Sequence, residues 1–386
     1  MTMSVAHALL SIALGLIEAP ATVPAAGAPP AEAAHRPPAN AALQYWQAFA
    51  LMPAPDGDRE GRLSRWNDDP LDGRALELAS SFEGSRLYLL RGAALGACDW
   101  GLDYEDGIQL LLPHLGRARD LARMAALHAR RELGQGRPEA AAEDAKAILS
   151  LARHVGSDPI AISILVRFAI EDVAIDLAAS HLAELRPLAP GILSAYEALP
   201  PGATFERAFL TTEKEHTVRW LVRRMKEAEA KRPGSWRTVW KSVTDRPDGL
   251  EAINRVDSLD DAVRLTEDLV PLCDELAALS ALPPAEFDAR YPDFRRRLKQ
   301  DHPLAGYLLT TPDTVLAAQR RNRARIELLR AAVVVDRDGP AKLADIKDPF
   351  GPGPFAYRAT DAGFELSSAL LSAGKPVTLA VRRTGR

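Results

Sequence analysis

From Asn40 onward, apolar positions recur at intervals of three and four, and Pro and Gly cut the chain into helix-length segments. "NAALQYWQAFALMP" (40–53) predicts a short helix, capped by Asn40 and stopped by Pro53. A polar, Gly/Asp-rich loop runs through Asp72, and a second helix is expected over about 73–97. Pro113 suits the first turn of a long helix, whose stripe Leu115, Ala118, Ala122, Ala125, Ala129, Leu133 keeps one face apolar. "GQGRP" at 134–138 breaks it, and Pro138 opens a helix with Ala141, Ala145, Ile148, Leu149 and Ala152 inward.

This unit has the form of one tetratricopeptide-type hairpin, but no second copy follows at the roughly 34-residue period of a repeat array. Asp158-Pro159 is expected to cap the next segment, "IAISILVRFAIEDVAIDLAASHLAEL", which is apolar on nearly all sides. Such a helix belongs at the centre of a body, here over 158–184. Further helices are expected over 204–230, 258–280, 284–300 and 312–334, with a Pro/Gly/Asp-rich crossover at 231–257. Beyond Asp336 the texture changes. Pro354–Arg358 and Phe364–Ser368 flank the turn "ATDAG", a hairpin signal, and 375–383 reads as a third strand. The fold class is therefore mainly α: an irregular helical bundle or tetratricopeptide-like hairpins, with a small C-terminal β-hairpin. The expected division is 1–39, a leader and Pro/Ala-rich segment; 40–335, the helical domain; and 336–386, the hairpin appendage.

Composition sharpens this picture. Hydrophobic content of 47% and charged content of 26% describe a globular chain, and the helix formers Ala, Leu, Arg and Glu dominate. A net charge of -4 argues against a general nucleic-acid binder, which needs a basic face to displace counterions. "VAHALLSIALGLI" (5–17) is too short to span a bilayer but suits the apolar core of a signal peptide, although no Lys or Arg precedes it. Small residues follow at Ala19–Ala28. Export to the periplasm or cell envelope is the resulting expectation, with no transmembrane span after cleavage; an uncleaved tether is the alternative. An oxidising compartment would permit a Cys98–Cys273 disulfide, and two separate buried thiols are the competing reading.

Candidate chemistry is sparse. "CDWGLDYEDG" (98–107) crowds four carboxylates with Cys98, Trp100 and Tyr104. Neither calcium-loop register works: starting at Asp99 puts Gly101 third and Leu110 twelfth, and fixing Gly107 as sixth puts Leu102 first. Zinc would need more Cys or His than His114. The stretch reads as a loop anchored by Trp100 and Tyr104, with Asp106 capping the helix that follows. Glu213 and His216 form one Glu-x-x-His on a helix, half of a di-iron pair and without its second copy. The central segment carries Arg167, Glu171, Asp172 and Asp176. Asp172 and Asp176, with His154 or His181, are the candidate acid–base groups; a core Arg167–Glu171 pair with two interhelical salt bridges is the structural alternative. Residues 218–242 mix eight Lys/Arg with Trp220, Trp236 and Trp240, expected as a solvated helix with inward Trp residues, with a polyanion- or membrane-surface site as the alternative. No HExxH, GxSxG, CxxC, GxxxxGK[ST] or Gly-rich dinucleotide loop occurs, so no cofactor is expected.

Cys98–Ile170, the segment "AQRRNRARIELLRAAVVVDRDGPAKLADIKDPFGPGPFAYR" and the turn "DAGFEL" together resemble an uncharacterised family of exported helical proteins of the planctomycete type. That resemblance implies export and a helical fold and supplies no catalytic residue. The second segment also resembles the end of type II secretion pseudopilins through Asp348, Pro349, Phe350, Gly351, Pro354, Phe355 and Tyr357. It lacks their N-terminal prepilin helix and their acidic "GxDG" ending. The resemblance implies a hairpin in which Phe355, Tyr357 and Phe364 pin strands to the preceding helix. The functional expectation is a non-catalytic envelope protein that offers a helical surface to another envelope protein. The alternative is a carboxylate- or metal-dependent hydrolase with its site on the central helix.

Overall fold

The computed structural model describes residues 39–54, 56–243, 250–251, 254–302, 305 and 312–382. The leader reading of 1–39 falls almost wholly outside them, as does part of the 231–257 crossover. Helix α1 (Ala41–Leu51) starts where Asn40 accepts from the Ala42 amide at 3.0 Å. The Asn40 side chain also accepts from the Asp99 amide at 2.9 Å and donates to its carbonyl at 2.7 Å, which ties α1 to the "CDWG" loop. Helix α2 (Gly57–Ser64) and helix α3 (Gly73–Ser80) are capped by Asp56 and Asp72. The helix expected over 73–97 is two, α3 and α4 (Glu83–Ala93). Ser80 and Ser81 turn their hydroxyls back to the Leu76 and Leu78 carbonyls, at 2.8 and 2.7 Å, in the local bonding by which serine competes with helix propagation. Phe82, at the junction, is fully buried.

The acidic stretch becomes a short 3₁₀ turn, Tyr104–Gln109, capped by Asp103 rather than ending in a cap by Asp106. Asp106 is exposed, and α5 (Pro113–Gly134) opens on Pro113 with no side-chain cap. Gly107 takes φ +58°, and a Cβ there would run into the Trp220 ring, so glycine is needed on both counts. Trp100 donates to the His154 carbonyl at 3.0 Å and Tyr104 to Asp158 at 2.8 Å, the anchoring expected of both. Asp158 therefore serves the loop and does not cap α7 (Ala161–Ser180), whose start has no side-chain cap.

Helices α5 and α6 (Pro138–Val155) pack as a hairpin, and α7 lies against both. The central reading of α7 holds because it feeds three clusters. Val166, Ile170 and Leu177 join the α1–α6 core. Ala161, Ile164 and Phe168 join a second core with Trp220, Trp236 and Trp240. Ile175, Ala178 and Ala179 join a third core beneath the sheet. The 204–230 segment is helical but passes through a π stretch, Phe209–Arg219, before Trp220–Lys231. The other helices among the described residues include Leu182–Leu185, Ala189–Ala198, Phe205–Ala208, Trp236–Lys241, Leu259–Glu267, Val270–Ser280, Pro284–Asp301 and Pro312–Asp338.

Strands β1 (Ala356–Thr360), β2 (Gly363–Ser372) and β3 (Lys375–Arg382) form one antiparallel sheet in the order β1-β2-β3. Tyr357 pairs with Leu366 and Phe364 with Val381. One face, Phe364, Leu366, Val377, Leu379 and Val381, shares a core with α7 and with Leu328 and Leu329 of the last long helix. The sheet is thus built into the helical body, and residues from Ala39 onward cluster as one compact unit. Buried Asp348 holds the "DPFGPGP" turn against a bulge in β2, accepting from Phe350 N at 2.9 Å, Ala369 N at 2.6 Å and Ser368 Oγ at 2.9 Å. No helix among the described residues is long and apolar enough to cross a membrane.

Candidate functional site

The carboxylates of α7 are engaged by cations. Glu171 is fully buried, with one oxygen 3.3 Å from Arg153 Nε and 3.6 Å from Arg167 Nε. Its other oxygen accepts from Asn322 at 2.9 Å. Asp172 and Asp176 share one guanidinium: Arg325 Nε is 2.8 Å from Asp172 and Arg325 Nη2 2.5 Å from Asp176. Burial pushes the Glu171 and Asp172 carboxyls above their ordinary range, against the pull of these arginines. The Arg167–Glu171 pair and the two salt bridges from the central helix match the structural alternative. Each group faces a fixed positive partner, so the arrangement joins α7 to the last long helix.

His154 lies apart from these aspartates. Its Nδ1 is 2.7 Å from the hydroxyl of fully buried Tyr45, which places it in the α1–α6 core. His114 is also buried there, stacked on Trp100 at 4.4 Å, and desolvation lowers its pKa to about 4. The cysteines are free: Cys98 packs against this core, whereas Cys273 is buried in the second. The bridge that export would permit is absent because α7 and its neighbours keep the two thiols in separate cores. Burial pushes both thiols up to about 12, the behaviour of packed rather than reactive cysteines. Glu213 and His216 fall in the π stretch, where hydrogen bonds reach five residues along and a spacing of three no longer aligns two side chains. Glu213 is buried, and His216 instead meets the Tyr104 ring at 5.2 Å.

Among the described residues, a convergence of ligand-type atoms occurs at Glu83, His128 and Glu132. Buried Asp144 is 2.6 Å from His128 Nδ1, the orientation a metal-ligating histidine requires. The centre is already filled. Arg131 Nη2 lies 2.5 Å from Glu83, 2.8 Å from Glu132 and 3.0 Å from His128 Nε2. Arg86 bonds Asp144 at 2.6 Å, and Arg137 bonds Glu132 at 2.5 Å and helps hold that carboxyl down to about 2. Three guanidiniums bind Glu83, Glu132 and Asp144, and Arg86 also reaches Glu143 at 3.1 Å, so the cluster is an ion-paired lock between α4, α5 and α6. No single residue in it stood out in the sequence, because its members come from three helices.

Two further features among the described residues open to solvent. The first is α1, "AALQYWQAFAL", which carries no charged side chain. Ala41, Ala42, Tyr45, Ala48 and Phe49 enter the core, yet Leu43 is 61% exposed, Trp46 38% and Leu51 50%. These lie on one side of the helix, with exposed Ala50 and Gln47 between them. Leu87 of α4, 48% exposed, extends the apolar surface, since Leu51 lies against Gly84 one turn before it. The absence of charge was readable in the sequence, but whether one face or both would be covered was not. The second feature is a cavity of about 360 Å³ lined in part by Arg130, His181 and Glu184. It holds the remaining candidate histidine, at the C-terminal end of α7 and away from Asp172 and Asp176. No protein-family model, no curated protein and no solved structure matches the chain.

Proposed function

We propose that this is an exported, non-catalytic protein of the cell envelope that docks the outer face of α1 into an apolar groove of another envelope protein. The observation that carries this reading is the exposed, uncharged stripe Leu43, Trp46, Leu51, continued by Leu87. A surface helix normally turns charged residues to solvent, and clustered exposed apolar side chains mark interaction sites. Size favours a groove over a second copy of the chain. An 11-residue helix is about 16 Å long, and one of its faces falls well short of the roughly 800 Å² per partner of a stable dimer. Helix-in-groove docking needs only a few apolar anchors at such spacings.

The hydrolase alternative draws less support, because Asp172 and Asp176 share Arg325 and neither faces a histidine. The test is a photo-crosslinking residue placed at Leu43, compared with one at exposed Arg223 on a different surface. The proposal expects one envelope protein crosslinked from position 43 and absent from position 223. Equal crosslinking from both positions, or a crosslink only to a second copy of the chain, would overturn it.

A further inference from the structure

We propose that acid releases α1: protonation of His114 and His154, which are buried in its seat, lifts the helix and withdraws the docking face from its partner. This names a regulation of the surface proposed above and rests on that reading. Trp100 is the hub of the seat. Its ring lies 5.8 Å from that of Tyr45, 6.1 Å from Trp46 and 6.2 Å from Phe49, all on α1, and stacks at 4.4 Å on His114 of α5. His154 of α6 holds the same group. Its Nδ1 lies 2.7 Å from the Tyr45 hydroxyl, and its backbone carbonyl accepts from the Trp100 indole at 3.0 Å. The half-open docking residue Trp46 therefore belongs to one ring cluster with two buried histidines.

A proton has no place in this seat. His114 is fully buried, and both its ring nitrogens lack a hydrogen-bond partner. It is the second residue of α5, where the helix dipole also opposes a cation. The face of Trp100 would favour an imidazolium, but two buried N–H groups without acceptors outweigh that attraction. The Tyr45 hydroxyl makes no other hydrogen bond among the described residues, so a proton on His154 Nδ1 would leave its O–H without an acceptor. The surrounding charges are engaged elsewhere. Exposed Asp99 accepts from the Gly101 amide, the buried Cys98 thiol stays protonated, and Asp158 is taken by Tyr104. Arg117 of α5 donates to the Phe49 carbonyl, Arg86 and Arg91 of α4 turn to Asp144 and the Tyr88 ring, and Arg153 of α6 faces Glu171. Neither histidine meets a carboxylate, and α1, without a charged side chain, has no ion pair to hold it down.

The direction of the pH effect follows. Above the ordinary histidine pKa of about 6.5 both rings are neutral whether α1 is seated or lifted. Below it the lifted form binds protons that the seated form refuses, so lifting gains until the pH reaches each folded pKa. His114, lowered to about 4 by burial, contributes a factor of about fifty between pH 7 and pH 4.5, and His154, lowered by the same cause, adds to it.

The test is hydrogen exchange of the full chain at pH 7 and pH 4.5, corrected for the intrinsic pH dependence of amide exchange. Amides of α1 should lose at least about twentyfold more protection than those of β2 and β3. The double variant His114→Phe, His154→Gln keeps a stacked ring and an acceptor for Tyr45, and should hold the α1 loss below about threefold. His114→Phe alone, the gentler change, should remove most of the loss. The photo-crosslink from position 43 should fade over the same pH interval. Protection of α1 unmoved by acid, a loss shared equally by β2 and β3, the same loss in the folded variants, or a crosslink undiminished at pH 4.5 would overturn the proposal. Lifting of α1 in acid with no crosslink at pH 7 would instead overturn the docking reading and leave the proton release of the helix standing.

Discussion

Replacing Arg325 by methionine tests whether the carboxylates of α7 are structural. Arg325 bridges Asp172 at 2.8 Å and Asp176 at 2.5 Å, and its removal leaves two negative charges about one turn apart on the same helix. Breaking a fully buried pair costs about 3–5 kcal/mol. The Asp172 side chain is 23% exposed, so its share falls to about 2–3 kcal/mol. Asp176 is 40% exposed and contributes about 0.5 kcal/mol or less. Arg325→Met should therefore lose about 2–3.5 kcal/mol at pH 7 in urea unfolding. The pH dependence gives a second handle. The folded pKa of Asp172 is raised by burial in the wild type, so its protonated form is the one folding favours. That contribution is present below the unfolded pKa and is lost as pH rises through the folded one. Without Arg325 the folded pKa rises further. The deficit should then be largest at pH 7 and shrink as pH falls toward 5, while the double change Asp172→Asn, Asp176→Asn should remove most of it at pH 7. A deficit below about 1 kcal/mol, or one identical at both pH values, would refute the reasoning.

Other changes probe the remaining contacts by the same unfolding assay. Tyr45→Phe strips His154 Nδ1 of its buried partner and should cost about 1–2 kcal/mol; a loss under 0.5 kcal/mol would contradict the core role of that histidine. Gly107→Ala combines a left-handed backbone with a clash against Trp220, so a loss of about 2 kcal/mol or more is expected, and an unchanged midpoint would refute it. Asp348→Ala leaves two amides and a hydroxyl unmatched under the sheet, which should cost about 2–3 kcal/mol. Thiol titration without reductant should find two free cysteines after denaturation and almost none before it; no reactive thiol in denaturant would show a disulfide.

Much of the fold was legible because its signals were local. Pro113 and Pro138 start helices, Asn40 caps one, and "ATDAG" turns a hairpin. The all-round apolarity of 160–185 marked the central helix before any contact was known. The misses lie where tertiary contacts override local rules. Asp106 and Asp158 looked like caps, but α5 opens on Pro113 with no side-chain cap, Asp103 caps only the 3₁₀ turn before it, and Asp158 was drawn to Tyr104 across more than fifty residues of chain. The π stretch displaced the Glu213–His216 spacing, which assumes an α-helix. Candidate sites were the least legible. The His128 lock and the Arg130–His181–Glu184 cavity each gather residues from separate elements, and no linear spacing encodes that. In α1 the sequence signal, eleven residues without a charge, was present, and only the packing separates its buried face from its open one.

The central claim rests on that open face, and one comparison tests it most directly. Wild-type chain and the Leu43→Glu, Leu51→Glu variant would be isolated from the native envelope under mild detergent, with equal melting curves confirming that both fold. The account predicts that a partner recovered in constant ratio with the wild type is lost at least about tenfold from the variant, because each charge would be desolvated at the contact. Retention of the same partner at the same ratio would contradict it.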